Sequence, residues 1–119
     1  MKVLICDDES DIRLLYRTAF EQHGADVVVT RNGDECVQLA ETDQPDMVIL
    51  DLMMPIRDGF STLAELHGRW PSTIVYIVSA FASPENFMRS RALGAKACYD
   101  KIDFLGRIPE LVAQSGTAA

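Results

Sequence analysis

Five residues of this 119-residue chain invite a chemical reading: the adjacent acids Asp7 and Asp8, then Asp51, Ser79 and Lys101. Each closes or follows a short apolar run. Val3-Leu4-Ile5 precedes Asp7, and Met47-Val48-Ile49-Leu50 precedes Asp51. Ile74 to Val78 leads to Ser79, and Ala97-Cys98-Tyr99 comes just before Lys101. Three carboxylates gathered in one place cannot all stay ionised cheaply unless a cation joins them. Hard oxygen ligands of this kind suit Mg2+, which keeps several waters and pairs with phosphoryl groups. A lysine and a hydroxyl opposite such a cation can each meet a phosphoryl oxygen. Together the set points to phosphoryl transfer onto a carboxylate, with Asp51 as the central acid and nucleophile. Taken singly, each residue has a plainer explanation. Asp8 and Glu9 are acids at a helix start, Ser79 is a strand-end hydroxyl, and Lys101 is a solvated lysine.

What joins these residues must be a sheet. The apolar runs lack two-residue alternation, as strands covered on both faces do. Between them lies helical spacing. Ile12, Leu15, Tyr16, Ala19 and Phe20 share one face of a first helix, stopped by Gly24. Val27-Val28-Val29 is the second strand. Asn32 and Glu35 read as the cap and capping-box acid of a second helix with Cys36, Leu39 and Ala40 inward. Asp58-Gly59 opens a third helix with Phe60, Leu63, Ala64 and Leu66 inward. Ser83-Pro84-Glu85 starts a fourth, ending near Leu93-Gly94. After Lys101 the sequence predicts a loose turn from Asp103 and a helix only from about Pro109, since proline disfavours a helix running through it. Residues 114–119 predict a frayed tail.

Five alternating β and α units predict an α/β fold. We expect a flavodoxin-like five-stranded parallel sheet, order 2-1-3-4-5, with helices on both faces and right-handed crossovers. In that order the first, third, fourth and fifth strands are neighbours, so Asp7, Asp8, Asp51, Ser79 and Lys101 fall on one rim. Length suits one domain over 1–119 with its core in 2–113. The net charge of -7 and the absence of a basic patch argue against direct binding to nucleic acid. Cys6, Cys36 and Cys98 each lie in an apolar segment without metal-like spacing, so they read as buried thiols. No apolar stretch approaches 18 residues, and the expectation is a cytoplasmic protein without a membrane span. His23 and His67 read as surface residues near helix ends, and Trp70 as a cover on the core.

Asp7-Asp8, the run Asp51-Leu52-Met53-Met54-Pro55 with Asp58-Gly59, Ser79-Ala80, and Gly94-Ala95 leading to Lys101 together resemble a known pattern. It is that of the receiver domain of bacterial two-component response regulators, of the CheY-like single-domain type. The resemblance spans Lys2 to about Ala113. It implies a phosphorylatable receiver that takes a phosphoryl group on Asp51 from a histidine kinase or phosphotransfer protein and signals through a protein-binding surface. It implies Mg2+ held by Asp8, Asp51 and the backbone carbonyl of Met53, with Asp7 acting through water. Ser79 and Lys101 would contact the phosphoryl group, Ser79 moving with it, and the output surface would be the fourth helix, fifth strand and fifth helix. Self-catalysed transfer and self-dephosphorylation would be its only chemistry, rather than turnover as an enzyme.

Two positions depart from the pattern. Cys98 stands where the family has a switching aromatic, and neighbouring Tyr99 points to the opposite face of the strand. Ile102 stands where the family has a cis-proline, so a trans bond and a rebuilt loop are expected. Met53 and Phe81, two residues after Asp51 and Ser79, would flank the path of hydrolytic water. Both are apolar, which predicts slow self-dephosphorylation. Two rival readings remain: a degenerate receiver that binds partners without phosphorylation, and an aspartyl phosphatase of the haloacid-dehalogenase type. The latter wants a second acid where Met53 stands.

Overall fold

The apolar runs become strands in the computed structural model, which describes residues 1–80 and 82–117, the last three of these as backbone only. Phe81 lies outside the described residues. The chain runs β1 (Lys2–Cys6), α1 (Ser10–Gln22), β2 (Asp26–Thr30), α2 (Gly33–Asp43), β3 (Met47–Leu50), α3 (Gly59–Arg69), β4 (Ile74–Ser79), α4 (Pro84–Ala92), β5 (Ala97–Asp100) and α5 (Lys101–Thr117). All strand pairs are parallel, in the order β2-β1-β3-β4-β5. The fold is the expected flavodoxin-like sheet.

Successive strand residues face opposite ways, so the unbroken apolar runs build two cores. Leu4, Cys6, Val48, Leu50, Val75, Ile77 and Cys98 pack with Cys36, Val37 and Ala40 of α2 and Leu63 and Leu66 of α3. Val3, Ile5, Met47, Ile49, Tyr76 and Val78 pack with Tyr16 and Phe20 of α1 and Phe104, Ile108 and Leu111 of α5. The helix starts follow the capping residues. Asn32 Oδ1 accepts from the Glu35 amide at 2.9 Å, Asp58 Oδ1 from Ser61 at 2.8 Å, and Ser83 Oγ from Asn86 at 3.1 Å. Glu35 does not complete a capping box on Asn32; its carboxylate accepts the Arg31 amide instead.

Inward faces differ from expectation at two residues. Leu15 is half exposed and Ala64 is exposed. In α3 the buried stripe is Gly59, Thr62, Leu63 and Leu66, because Thr62 lies under Gly33 of α2. The Thr62 hydroxyl donates to the Asp58 carbonyl, and so is buried without loss.

The larger correction concerns α5. No loose turn separates it from β5: it begins at Lys101 and runs through Pro109. Phe104, Ile108 and Leu111 fall at helical spacing and are each 5% exposed or less. Burying that stripe outweighs the hydrogen bond that Pro109 cannot donate. At its start, Asp100 Oδ1 accepts the Ile102 amide at 2.8 Å. The expected trans bond before Ile102 holds, and no cis peptide occurs among the described residues. The expected loose tail is helical to Thr117, and 118–119 lie outside the described residues. Pro109→Ala should therefore stabilise the protein by about 1–3 kcal/mol. A urea-denaturation midpoint that stays put or falls would show that α5 is shaped around its proline.

Candidate functional site

The parallel ladder runs one residue past the ends of β1 and β3. The Asp7 amide donates to the last carbonyl of β2, Thr30, at 3.2 Å, and the Asp51 amide to the last carbonyl of β1, Cys6, at 3.0 Å. Cys6 pairs with Leu50, so the next residues, Asp7 and Asp51, stand side by side. Both are buried, at 2% and 3% exposure, while Asp8 is exposed. Ligand oxygens of Asp7, Asp8 and Asp51 lie within 4.8 Å of one another, close enough to share one cation. The cluster offers only hard oxygen donors, which fits Mg2+.

Each buried acid folds back on its own chain. Asp7 Oδ1 accepts the Glu9 amide at 2.9 Å, and Asp51 Oδ1 accepts the Met53 amide at 3.2 Å. These i to i+2 bonds leave the two Oδ2 atoms facing Lys101, whose Nζ lies 3.1 Å from that of Asp7 and 3.3 Å from that of Asp51. A third carboxylate, Glu9 Oε1, is nearer still at 2.7 Å. Ser79 is fully buried at the end of β4, in register with Asp100. The structure thus brings Asp7, Asp8, Asp51 and Lys101 into one cluster and sets Ser79 at the carboxyl end of the next strand. Met53, at the turn after Asp51, has an exposed side chain. Cys98 is buried on the α2–α4 side of the sheet, where burial raises its thiol to about 11. Tyr99 faces the other side, its ring 5.9 Å from that of Tyr76 and 5.6 Å from that of Phe104.

Electrostatics here are a contest between burial and pairing. Burial, then the charge of Asp7, pushes Asp51 up to about 6, against the pull of Lys101 and the Met53 amide. Burial likewise raises Asp7. Burial alone would lower Lys101, but Glu9, Asp51 and Asp7 outweigh it and hold the ammonium charged.

Several supports are absent from the motif reading. α1 fastens both ends of the site: Arg13 Nη1 donates to the Asp7 carbonyl at 2.8 Å, and the Tyr16 hydroxyl to the Lys101 carbonyl at 2.7 Å. Glu9, read as a helix-start acid, is an ion-pair partner of Lys101. Gly59 is required by contact. A Cβ there would lie 2.5 Å from both the Asp51 carbonyl oxygen and the Leu52 Cα. In between, Ile56 has φ 72°, and the Arg57 amide donates to the Pro55 carbonyl at 2.7 Å, a tight γ-turn that a β-branched residue adopts only under strain. Gly59 gave a signal in Asp58-Gly59; the Arg13, Tyr16 and Ile56 contacts depend on tertiary position and gave none.

A doubly wound parallel sheet in this order, with acids and a partly buried lysine at its carboxyl rim, defines the receiver class of signalling module. The chain belongs to the response regulator receiver domain family, which it matches over residues 3–108. It is 36% identical over 97 residues to the transcriptional regulatory protein PdtaR of Mycobacterium tuberculosis, covering 81% of this chain and 47% of that protein. It therefore spans about half the length of that relative. It is 29% identical to sporulation initiation phosphotransferase F of Bacillus subtilis, over 84% of this chain and 81% of that protein. The receiver domain of Francisella response regulator 1452 superposes with TM-score 0.83 at 31% identity, covering 96% of this chain and 98% of that one. No helix among the described residues is long and apolar enough to cross a membrane.

Asp51 titrates near 6 when folded against an ordinary 3.8. Its contribution to stability is thus present below about pH 4 and lost as pH rises through 6. The loss amounts to at most about 3 kcal/mol. In chelator, urea denaturation should show wild-type stability falling between about pH 4 and 6, and Asp51→Asn flattening that fall. A flat wild-type profile would overturn this reading.

Proposed function

We propose that this chain is a phosphorylatable receiver whose acceptor is Asp51. The observation that carries the reading is the buried Asp51 carboxylate, paired with Lys101 at 3.3 Å inside a three-aspartate cluster. In the reaction a carboxylate oxygen of Asp51 attacks the donor's phosphorus. The new O–P bond replaces the P–N bond of a phosphohistidine, and the imidazole leaves. Mg2+, when bound, neutralises charge on the phosphoryl oxygens. Asp8, Asp51 and the Met53 carbonyl are the residues to hold it, with Asp7 acting through water. Lys101 supplies an ammonium to a phosphoryl oxygen and Ser79 a hydroxyl to another.

A protein donor, a histidine kinase or phosphotransfer protein, suits the surroundings. Met53, Ile56 and Ile102 are 59%, 77% and 84% exposed, within a few residues of Asp51 or Lys101. Each offers a protein partner apolar area to bury beside the site. The downstream partner is a further protein. The similarity to PdtaR and to sporulation initiation phosphotransferase F, and to a receiver of Klebsiella pneumoniae RstA described as BeF3-activated, at 26% identity and TM-score 0.84, supports the reading.

Incubation with Mg2+ and acetyl phosphate should add one phosphoryl group by mass to the wild type and none to Asp51→Asn. The adduct should persist for minutes, since the apolar Met53 cannot orient a water. Loss within seconds counts against slow hydrolysis. No adduct favours the phosphorylation-independent binding module, and rapid hydrolysis of phosphate esters favours the phosphatase.

A further inference from the structure

Lys101 has three N–H donors, and three carboxylates share them. Two of the three have other duties in the reading above. Asp51 becomes the acyl phosphate, and Asp7 faces the cation. Glu9 alone belongs to neither the metal nor the phosphoryl group, yet it makes the shortest contact, 2.7 Å. It is also placed differently. The Asp7 and Asp51 side chains are 4% and 3% exposed, the Glu9 side chain 58%. Glu9 therefore competes from the solvent side for an ammonium that also lies 3.1 and 3.3 Å from the two buried aspartates.

A second observation concerns α1. Glu9 is its N-cap, where Ser, Thr, Asp or Asn is strongly preferred, and its side chain makes no capping hydrogen bond. The carboxylate reaches across to α5 instead. Capping does not explain the residue, whereas the ion pair accounts for where its carboxylate goes.

We propose that Glu9 is a latch on Lys101: it holds the ammonium in the unphosphorylated protein and so sets how readily a phosphoryl group on Asp51 is captured. The inference rests on the acceptor reading of Asp51. Glu9 acts only through Lys101 and is a positioning residue. Two variants test it. Glu9→Gln removes the charge. Glu9→Asp keeps the charge but is one methylene shorter, and it can cap α1 through the amide of Asp11 or Ile12. If the latch depends on reach, both release Lys101.

Beryllofluoride with Mg2+, titrated into the full chain by calorimetry, should bind roughly 2- to 5-fold more tightly to both variants than to wild type, the range for releasing a partly exposed ion pair. In metal-free protein, proton–nitrogen NMR of the Lys101 ammonium should show faster hydrogen exchange in both variants. Tighter binding by Glu9→Gln with wild-type behaviour of Glu9→Asp would mean a diffuse charge effect and overturn the latch. So would unchanged exchange at Lys101. Wild-type uptake of beryllofluoride at an affinity equal to both variants overturns the latch alone, while no uptake by the wild type overturns both it and the acceptor reading.

Discussion

The register between β1 and β3 is the constraint on which the site depends. Parallel pairing of Cys6 with Leu50 places Asp7 directly beside Asp51, both out of water. Two buried carboxylates at neighbouring strand ends repel, and burial penalises each charge further. One response lies within the protein: Lys101, arriving from the end of β5, gives both acids a shared ammonium. A cation held at the acidic cluster would be the other. A site short of positive charge when empty is ready to gain it on loading, because the unfavourable charge is already in place before anything binds.

Holding that charge in place falls to α1, though α1 contributes no aspartate to the cluster. Arg13 and Tyr16 tie the carbonyls of Asp7 and Lys101, which lie 94 positions apart along the chain. The Tyr16 ring meets Phe104 edge to face, with centroids 5.2 Å apart. The first helix and the last are thus joined through the site itself. Tyr99 is wedged between Tyr76 and Phe104 on this same side. It cannot reach the face where Cys98 sits without passing through the sheet. The Cys98 side chain, buried on that other face, is too small to uncover much apolar surface by changing rotamer.

Much of the fold was legible because the local signals agree. Apolar runs without alternation, the caps at Asn32, Asp58 and Ser83, and the strict β–α order all demand the same parallel sheet. The acids and the lysine were legible for the same reason: each is fixed to a strand end, and the strand order alone sets them on one rim. Legibility failed where a local rule met tertiary burial. Pro109 argues against a helix, but the spacing of Phe104, Ile108 and Leu111 buries a stripe whose apolar area outweighs one missing hydrogen bond. Ala64 looked like a core residue until the packing of α2 on α3 turned the stripe toward Thr62.

The sequence by itself therefore determined the order of the elements, the identity of the charged groups and the end of the sheet at which they stand. Periodicity and strand order carry that information without any distances. Only the tertiary structure decided how those charges are shared. That Glu9 lies closer to Lys101 than either buried aspartate, and that Gly59 must lack a side chain beside the Asp51 carbonyl, follow from separations of a few ångströms between distant parts of the chain. No spacing along a sequence encodes them, because they arise from how α1, α3 and α5 settle on the finished sheet.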